Sequence, residues 1–187
     1  MSTDVDALLV SAQAGDRKAF EALVRALERP IYVAAYAILP NREEALDVVQ
    51  ETFLRLFGNL HKVKSEARFK CFVFKIAVNC AIDRLRRLKR QRISLSEDGT
   101  LPAATEMELS RRIESPEKLA EKRELLQTLQ AVIDDLPPRQ KLCLVLSDLD
   151  GLSKKEIART LGCPQGTVRS NLHIARQKLR RALKDHV

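Results

Sequence analysis

Apolar residues recur at helical spacing along most of the chain, and the polar positions between them read either as caps or as charged outer faces. Leu8, Leu9 and Ala12 mark a short first helix that Asp4 or Asp6 can start and that Gln13-Ala-Gly-Asp16 breaks. Phe20, Leu23, Leu27, Ile31, Ala34, Ala35 and Ile38 predict a second helix over about 17–38, with a kink or a division at Pro30. Leu39-Pro40-Asn41 is a turn. Asn41 serves as N-cap for a third helix over about 42–57, with Glu44 at the position of its reciprocal partner. Leu46, Val49, Phe53, Leu56 and Phe57 are the expected buried series of that helix. A polar, basic loop from Gly58 to Glu66 leads to the fourth and longest helix, about 67–91. Its inward series is Phe74, Val78, Ala81, Ile82, Leu85 and Leu88, and its outward series is Lys75, Asn79, Asp83, Arg86, Arg87 and Arg90.

Periodicity fails over 93–114, where Ser, Thr, Glu, Asp, Gly and Pro dominate, so this stretch reads as a flexible linker. Ser115-Pro116-Glu117 then gives a helix start, with Pro at the first helical position. Four more helices follow, at about 116–134, 138–149, 154–161 and 165–184. The last two have the grammar of a helix-turn-helix. Ser153 and Glu156 form a capping box, Gly162 supplies a left-handed stop, and Pro164 suits the first turn of the next helix. Val168, Leu172, Ala175 and Leu179 face inward. Gln165, Gly166, Arg169, Ser170, His173, Arg176 and Gln177 are left on the outer face. A helix that reads base edges needs donors near its N-terminal half, and Arg169 and Ser170 stand there.

Strand signals are lacking: there is no sustained alternation and no hairpin dipeptide between β-branched runs. An apolar content of 45% with 4% aromatics and no Trp fits small helical bundles. The predicted fold is all-α, with an N-terminal bundle at 1–92, the linker at 93–114 and a helix-turn-helix bundle at 115–187. No stretch approaches the length of a membrane span, and the N-terminus lacks a basic start followed by an apolar run, which predicts a cytoplasmic protein.

The net charge of +8 is unevenly spread. Residues 61–92 carry 11 basic and 2 acidic side chains, and residues 136–187 carry 11 and 4, whereas 1–60 and 93–135 are net acidic. Two cationic patches on one chain suggest two contacts along one polyanion. Cys71, Cys80, Cys143 and Cys163 are too widely spaced for a paired-thiol motif, and Cys80, Cys143 and Cys163, on apolar or turn positions, read as reduced structural residues. A zinc site from Cys163 and His173 matches no common ligand spacing. The three histidines, His61, His173 and His186, belong to no catalytic constellation, and no Gly-rich phosphate loop exists. Neither an enzyme, a metal nor a cofactor is expected.

Three segments in order, Glu43 to Phe57, Phe69 to Arg87, and Leu136 through Gly166-Thr-Val-Arg-Ser170, resemble the extracytoplasmic-function (ECF) group of bacterial sigma factors, two-domain type. The resemblance covers nearly the whole chain except the linker. It implies that the outer face of the third helix, Asp47, Gln50, Glu51 and Arg55, docks on the clamp helices of core RNA polymerase. It implies that the fourth helix and the loop before it read the minus-ten element. Lys62, Lys64, Arg68 and Lys70 would meet phosphates, Asn79 and Asp83 base edges, and Arg84, Arg86, Arg87 and Arg90 the backbone. Melting requires a base to be held out of the stack, for which the loop at 58–68 is suited; it offers no aromatic wedge. In the C-terminal unit the resemblance assigns the minus-thirty-five element to Lys154, Gln165, Thr167, Arg169, Ser170, His173 and Arg176. Many members carry a basic residue two positions before Arg176, where this chain has Ile174; His173 beside it is either a bystander or a base reader.

The partners so implied are core RNA polymerase, promoter DNA and an anti-sigma factor, often membrane-anchored, that wedges between the two units. Two other readings remain open at the level of sequence. An autonomous helix-turn-helix regulator leaves the basic fourth helix unexplained. A sigma mimic that titrates an anti-sigma factor has no use for the basic residues kept in both readers.

Overall fold

The computed structural model describes residues 5–39, 41–63, 68–95 and 128–184, the last four residues of the second stretch's successor (92–95) as backbone only. Every regular element among these residues is helical: α1 (Val5–Gln13), α2 (Arg17–Tyr36), α3 (Arg42–Asn59), α4 (Phe69–Leu95), α5 (residues 128–134), α6 (Pro138–Leu144), α7 (Lys154–Leu161) and α8 (Gln165–Leu183). The fold is therefore all-α, as the periodicity predicts. The expected linker begins inside α4, since 93–95 are helical, and the Ser115-Pro116 helix start lies outside the described residues, as do Met107 and Leu109.

Local chemistry sets the boundaries. Gly15, at φ 95°, turns the chain after α1, and Asp16 caps α2 by accepting from the amides of Lys18 at 2.8 Å and Ala19 at 3.3 Å. Pro30 does not divide α2, which runs unbroken through it. Asn41 accepts from the Glu44 amide at 2.8 Å, but the Glu44 carboxylate turns to Arg84 on α4 instead of returning to the cap. Ser153 and Glu156 form both halves of their capping box, at 3.3 and 2.8 Å, and Gly162 ends α7 at φ 60°. Pro164 stands at the N-cap of α8 instead of inside its first turn. After α6 the five residues Val145–Leu149 widen into a π-helical turn, which sends Leu149 outward to 71% exposure while Leu146 stays fully buried.

Two apolar clusters organise the chain. The first joins α1, α2, α3 and the start of α4 around Leu9, Leu23, Ile31, Leu56, Phe69 and Val73. The second runs from the end of α2, through Ala45 and Val48 of α3 and Phe74 and Val78 of α4, into Leu146, Ile157, Val168 and Leu172 of the C-terminal unit. The two helical units thus share one packed seam, closed chiefly by α4 against α7. Each large side chain fully buried there is worth about 1.5–3 kcal/mol. A smaller cluster of Leu136, Leu144 and Ala175 braces α5 and α6 against α8.

The α3 packing differs from the pattern reading. Its buried face is Ala45, Val48, Val49, Thr52 and Leu56, while Leu46 and Phe57, expected inside, are exposed, and Phe53 is half-buried. A second, polar-apolar stripe hid the true one. Thr52 satisfies itself within the helix by donating to the Val48 carbonyl at 2.7 Å, so a hydroxyl occupies a core position without cost in unmade hydrogen bonds.

Candidate nucleic-acid interface

The helix-turn-helix is formed as its caps dictate. α7 packs Ile157 and the half-buried Ala158 and Leu161 into the shared seam, and α8 buries Val168, Leu172 and Ala175. That leaves Gln165, Gly166, Arg169, Ser170, His173, Arg176 and Gln177 all exposed along one side of α8, with Lys154 exposed at the start of α7 and Thr167 half-buried. Two of these side chains are already engaged. The Ser170 hydroxyl donates to the Gly166 carbonyl at 3.1 Å, leaving its lone pairs outward. Arg176 donates to Asp148 on the π-helical turn and to Ser147 at 3.2 Å. The hydrogen bonds from Arg176 hold the Asp148 carboxyl below the usual carboxylate range and push the guanidinium still further toward its charged form. Ile174 is 40% exposed on the same side.

The other basic surface lies along α4. Lys70, Lys75, Asn79, Arg86, Arg87 and Arg90 are exposed, and Asp83 is half-buried and pairs with Arg86 at 3.5 Å. Arg84 differs from its neighbours. It faces α3, donating to Glu44 and to Asp47, the latter at 3.0 Å. Its placement is thus between two carboxylates and not on the outer face. Before α4, the 3-10 turn Leu60–Lys62 begins the loop; Lys62 donates to Asn59 at 2.7 Å, and Asn59 donates to the Arg55 carbonyl at 2.7 Å. Arg68 is exposed at the far end of the loop, and Lys64 lies outside the described residues.

On α3, Asp47, Gln50 and Arg55 are exposed and Glu51 is half-buried; Arg55 pairs with Glu51 one turn away. Beside them stand Leu54, 76% exposed, and Phe57, 67% exposed, whose ring meets that of Phe20 edge-on at 5.1 Å. Sequence reasoning assigned Phe57 to the core and passed over Leu54. Their positions flanking Val49 and Leu56 are the only signal that could have separated a second apolar face from the first.

All four cysteines are free thiols: Cys80 and Cys143 are buried and Cys71 and Cys163 half-buried. Burial pushes the Cys143 thiol up to about 11. Among the described residues no group of acidic, His or Cys side chains is placed to hold a metal ion.

Comparison with known proteins fits this geometry unit by unit. The family description "Sigma-70 region 2" matches residues 23–91, which hold most of α2, α3 and the basic face of α4. "Sigma-70, region 4" matches residues 126–179, which hold the helix-turn-helix. The ECF RNA polymerase sigma factor SigE of Mycolicibacterium smegmatis is 36% identical over 176 residues, covering 92% of this chain and 65% of that protein. SigW of Bacillus subtilis is 33% identical over 172 residues, covering 91% and 92% respectively. Among solved structures, CnrH in complex with the cytosolic domain of CnrY matches with a TM-score of 0.62 at 24% identity, over 97% of this chain and 99% of that one. The sigma factor RpoE of Bartonella quintana, in complex with the anti-sigma factor NepR, matches at 0.70 and 22% identity over 89% and 98%. These two likenesses establish the fold. A helical fold carrying region 2 and region 4 in order defines a DNA-binding factor of transcription initiation. The chain belongs to the ECF group of RNA polymerase sigma factors.

Proposed function

We propose a division of labour in which α4 reads the minus-ten element, α8 reads the minus-thirty-five element and the outer face of α3 docks on core RNA polymerase. The observation that carries this is the pair of exposed cationic faces on one chain, Lys75 to Arg90 on α4 and Arg169 to Arg176 on α8. Each lies inside the segment matched by its sigma region. The units are taken as 1–92 and 115–187, joined by 93–114. Arg169 leads base readout, because it is exposed, enters no ion pair among the described residues, and lies close to the start of α8. Asn79 does the same on α4. Arg86, Arg87 and Arg90 supply phosphate contacts, and each neutralised phosphate adds about 0.9 to the logarithmic salt slope.

The chain acts by binding rather than by catalysis, and it lends polymerase a promoter preference. Leu54 and Phe57 give the docking face of α3 apolar contact area beside Asp47 and Gln50, the mixture expected at the centre of a specific interface. An anti-sigma factor covering part of these surfaces would hold the protein inactive, and one anchored in the inner membrane would keep a cytoplasmic sigma factor beside it. Among the described residues no helix is long and apolar enough to cross a membrane.

Run-off transcription with purified core polymerase and a promoter library tests this reading. Promoter-dependent transcripts are expected, with Arg169→Ala weakening use of the upstream element and Asn79→Ala impairing recognition or opening at the downstream one. Absence of core binding and of open complexes overturns it. Specific duplex binding without polymerase would instead mark an autonomous regulator.

A further inference from the structure

The outer face of α8 carries one large apolar side chain. Ile174 is 40% exposed, whereas Val168, Leu172 and Ala175 of the same helix are buried. With 3.6 residues per turn, Ile174 lies about 40° around the helix from Ser170 and about 60° from Gln177. It therefore shares a side with Gly166, Ser170, His173 and Gln177, all of them exposed. The basic side chains long enough to fold over it point elsewhere. Arg176 bonds to Asp148 and Ser147, and the Lys178 Nζ lies 3.7 Å from Asp135, just after α5. The isoleucine is left uncovered in the middle of a face built to meet DNA.

An isoleucine has no hydrogen bond to give to a base or a phosphate, and it gains free energy only by burying carbon surface. In the major groove the carbon group that a base pair presents is the thymine 5-methyl, and apolar side chains meet it there. The outward neighbours of Ile174 are poorly suited to that contact. Arg169, His173 and Gln177 end in polar groups. The Ser170 hydroxyl commits its proton to the Gly166 carbonyl at 3.1 Å, so it offers a base acceptor lone pairs. Thr167 has a methyl group on this side but is half-buried. Along the helix axis Ile174 lies about 6 Å beyond Ser170. That distance is about two base-pair steps, so Ile174 meets a different base pair from the one that faces Ser170.

We infer that Ile174 is a specificity-determining residue of the upstream reader: its side chain packs on the 5-methyl group of a thymine, about two base pairs along the groove from the base that faces Ser170. The inference rests on the reading of α8 as the minus-thirty-five reader. A basic side chain here would add affinity through phosphate or guanine. Isoleucine gives that up and discriminates by carbon surface alone. The burial of one methyl group corresponds to about a fourfold change in affinity.

The test uses full-length protein bound to core polymerase, with fluorescent duplex copies of a promoter that this holoenzyme transcribes. Each thymine of the upstream element is replaced in turn by deoxyuridine, which removes the methyl group and keeps every hydrogen-bonding edge. One replacement is expected to weaken wild-type binding by about fourfold, and the same replacement should leave the affinity of Ile174→Ala unmoved. The melting temperature of that variant should match wild type, because the side chain is exposed. Wild-type affinity unmoved by every replacement, or an upstream element without thymine, overturns the assignment. So does a loss that Ile174→Ala shows equally, which would place the contact on another side chain such as Thr167. Arg169→Ala separates this failure from that of the underlying reading. If it weakens use of the upstream element while methyl removal does nothing, only the role of Ile174 falls; if it changes nothing, α8 is not the reader and both fall.

Discussion

Arg176 on α8 and Asp148 on the π-helical turn form a two-pronged ion pair, with donors at 3.2 and 2.5 Å from the carboxylate oxygens. The pair sits at the edge of the face proposed to meet the minus-thirty-five element, so a carboxylate competes with phosphate for the same guanidinium. Both side chains are partly exposed, and such a pair contributes little to stability, about 0–1 kcal/mol. Its larger effect is on DNA. Asp148→Asn is expected to tighten binding to upstream-element duplex and to steepen the salt dependence by up to about 0.9 in the logarithmic slope. A titration of affinity against salt checks this. Weaker binding by the variant would show that Asp148 instead holds Arg176 in a useful orientation.

Arg84 gives the opposite expectation. Its sequence neighbours Arg86 and Arg87 point outward, but Arg84 donates to Glu44 and Asp47 on α3, and its hydrogen bond to Glu44 favours the charged guanidinium. Arg84→Ala leaves two α3 carboxylates without their shared cation and should destabilise the fold by about 1 kcal/mol, the scale of a partly exposed network. Arg87→Ala should leave stability nearly unchanged and lower the salt slope of downstream-element binding. Urea melts and salt titrations of both variants separate the roles. An Arg84→Ala variant with full stability and a reduced salt slope would return Arg84 to the DNA face.

The two exposed apolar residues of α3 make a third test. Leu54 and Phe57 bury little in the free protein, so Leu54→Ala and Phe57→Ala should each change the melting temperature only slightly. If they sit at the centre of the polymerase contact, each should weaken core binding by about thirtyfold, the roughly 2 kcal/mol that marks an interface hot spot. Competition for core polymerase against a labelled sigma factor measures it. Loss of stability without loss of core affinity would assign Phe57 to packing on Phe20 alone.

Helix-length periodicity and cap chemistry were enough to place α2, α3, α7 and α8, because Asn41, Ser153, Glu156 and Gly162 act within a few residues of themselves. The buried face of α3 is not legible in the sequence because its apolar residues cover most of the helix circumference. Only the partner helices decide that Val48 and Thr52 go in while Leu46 and Phe57 stay out. Long-range polar contacts were out of reach for the same reason. Arg84 with Glu44, Arg176 with Asp148, and Gln13 with the 3-10 turn join residues 28 to 50 positions apart. No local pattern couples them. The charge blocks did locate both basic surfaces, but they count Arg84 and Arg176 as free cations when each is held by a carboxylate. The shared seam, in which Ile157 and Leu172 join Phe74 and Val78, is likewise a property of tertiary packing that no segment reveals alone.

Asp150 adds a pH dependence of its own. It follows the π-helical turn, immediately before Gly151 at φ 71°, and its Oδ2 is buried with no hydrogen-bond partner among the described residues. Burial raises its carboxyl from the ordinary 3.8 to about 6, and the Lys70 ammonium of α4 opposes that rise. A carboxyl whose pKa is higher in the folded state binds its proton more tightly there. The ionised form therefore costs stability above pH about 6, and the cost fades as pH falls through 6 toward 3.8, where both folded and unfolded states are protonated. Asp150→Asn is neutral throughout, so it should melt at a higher temperature than wild type at pH 8, with the gap closing on acidification through that window. Lys70→Met should widen the gap, because the one opposing charge is removed. Melting curves across the range, with the Asp150 carboxyl followed by NMR titration, decide the matter. A variant less stable than wild type at pH 8 would mean that the ionised carboxylate is stabilised by Lys70 more than it is penalised by burial.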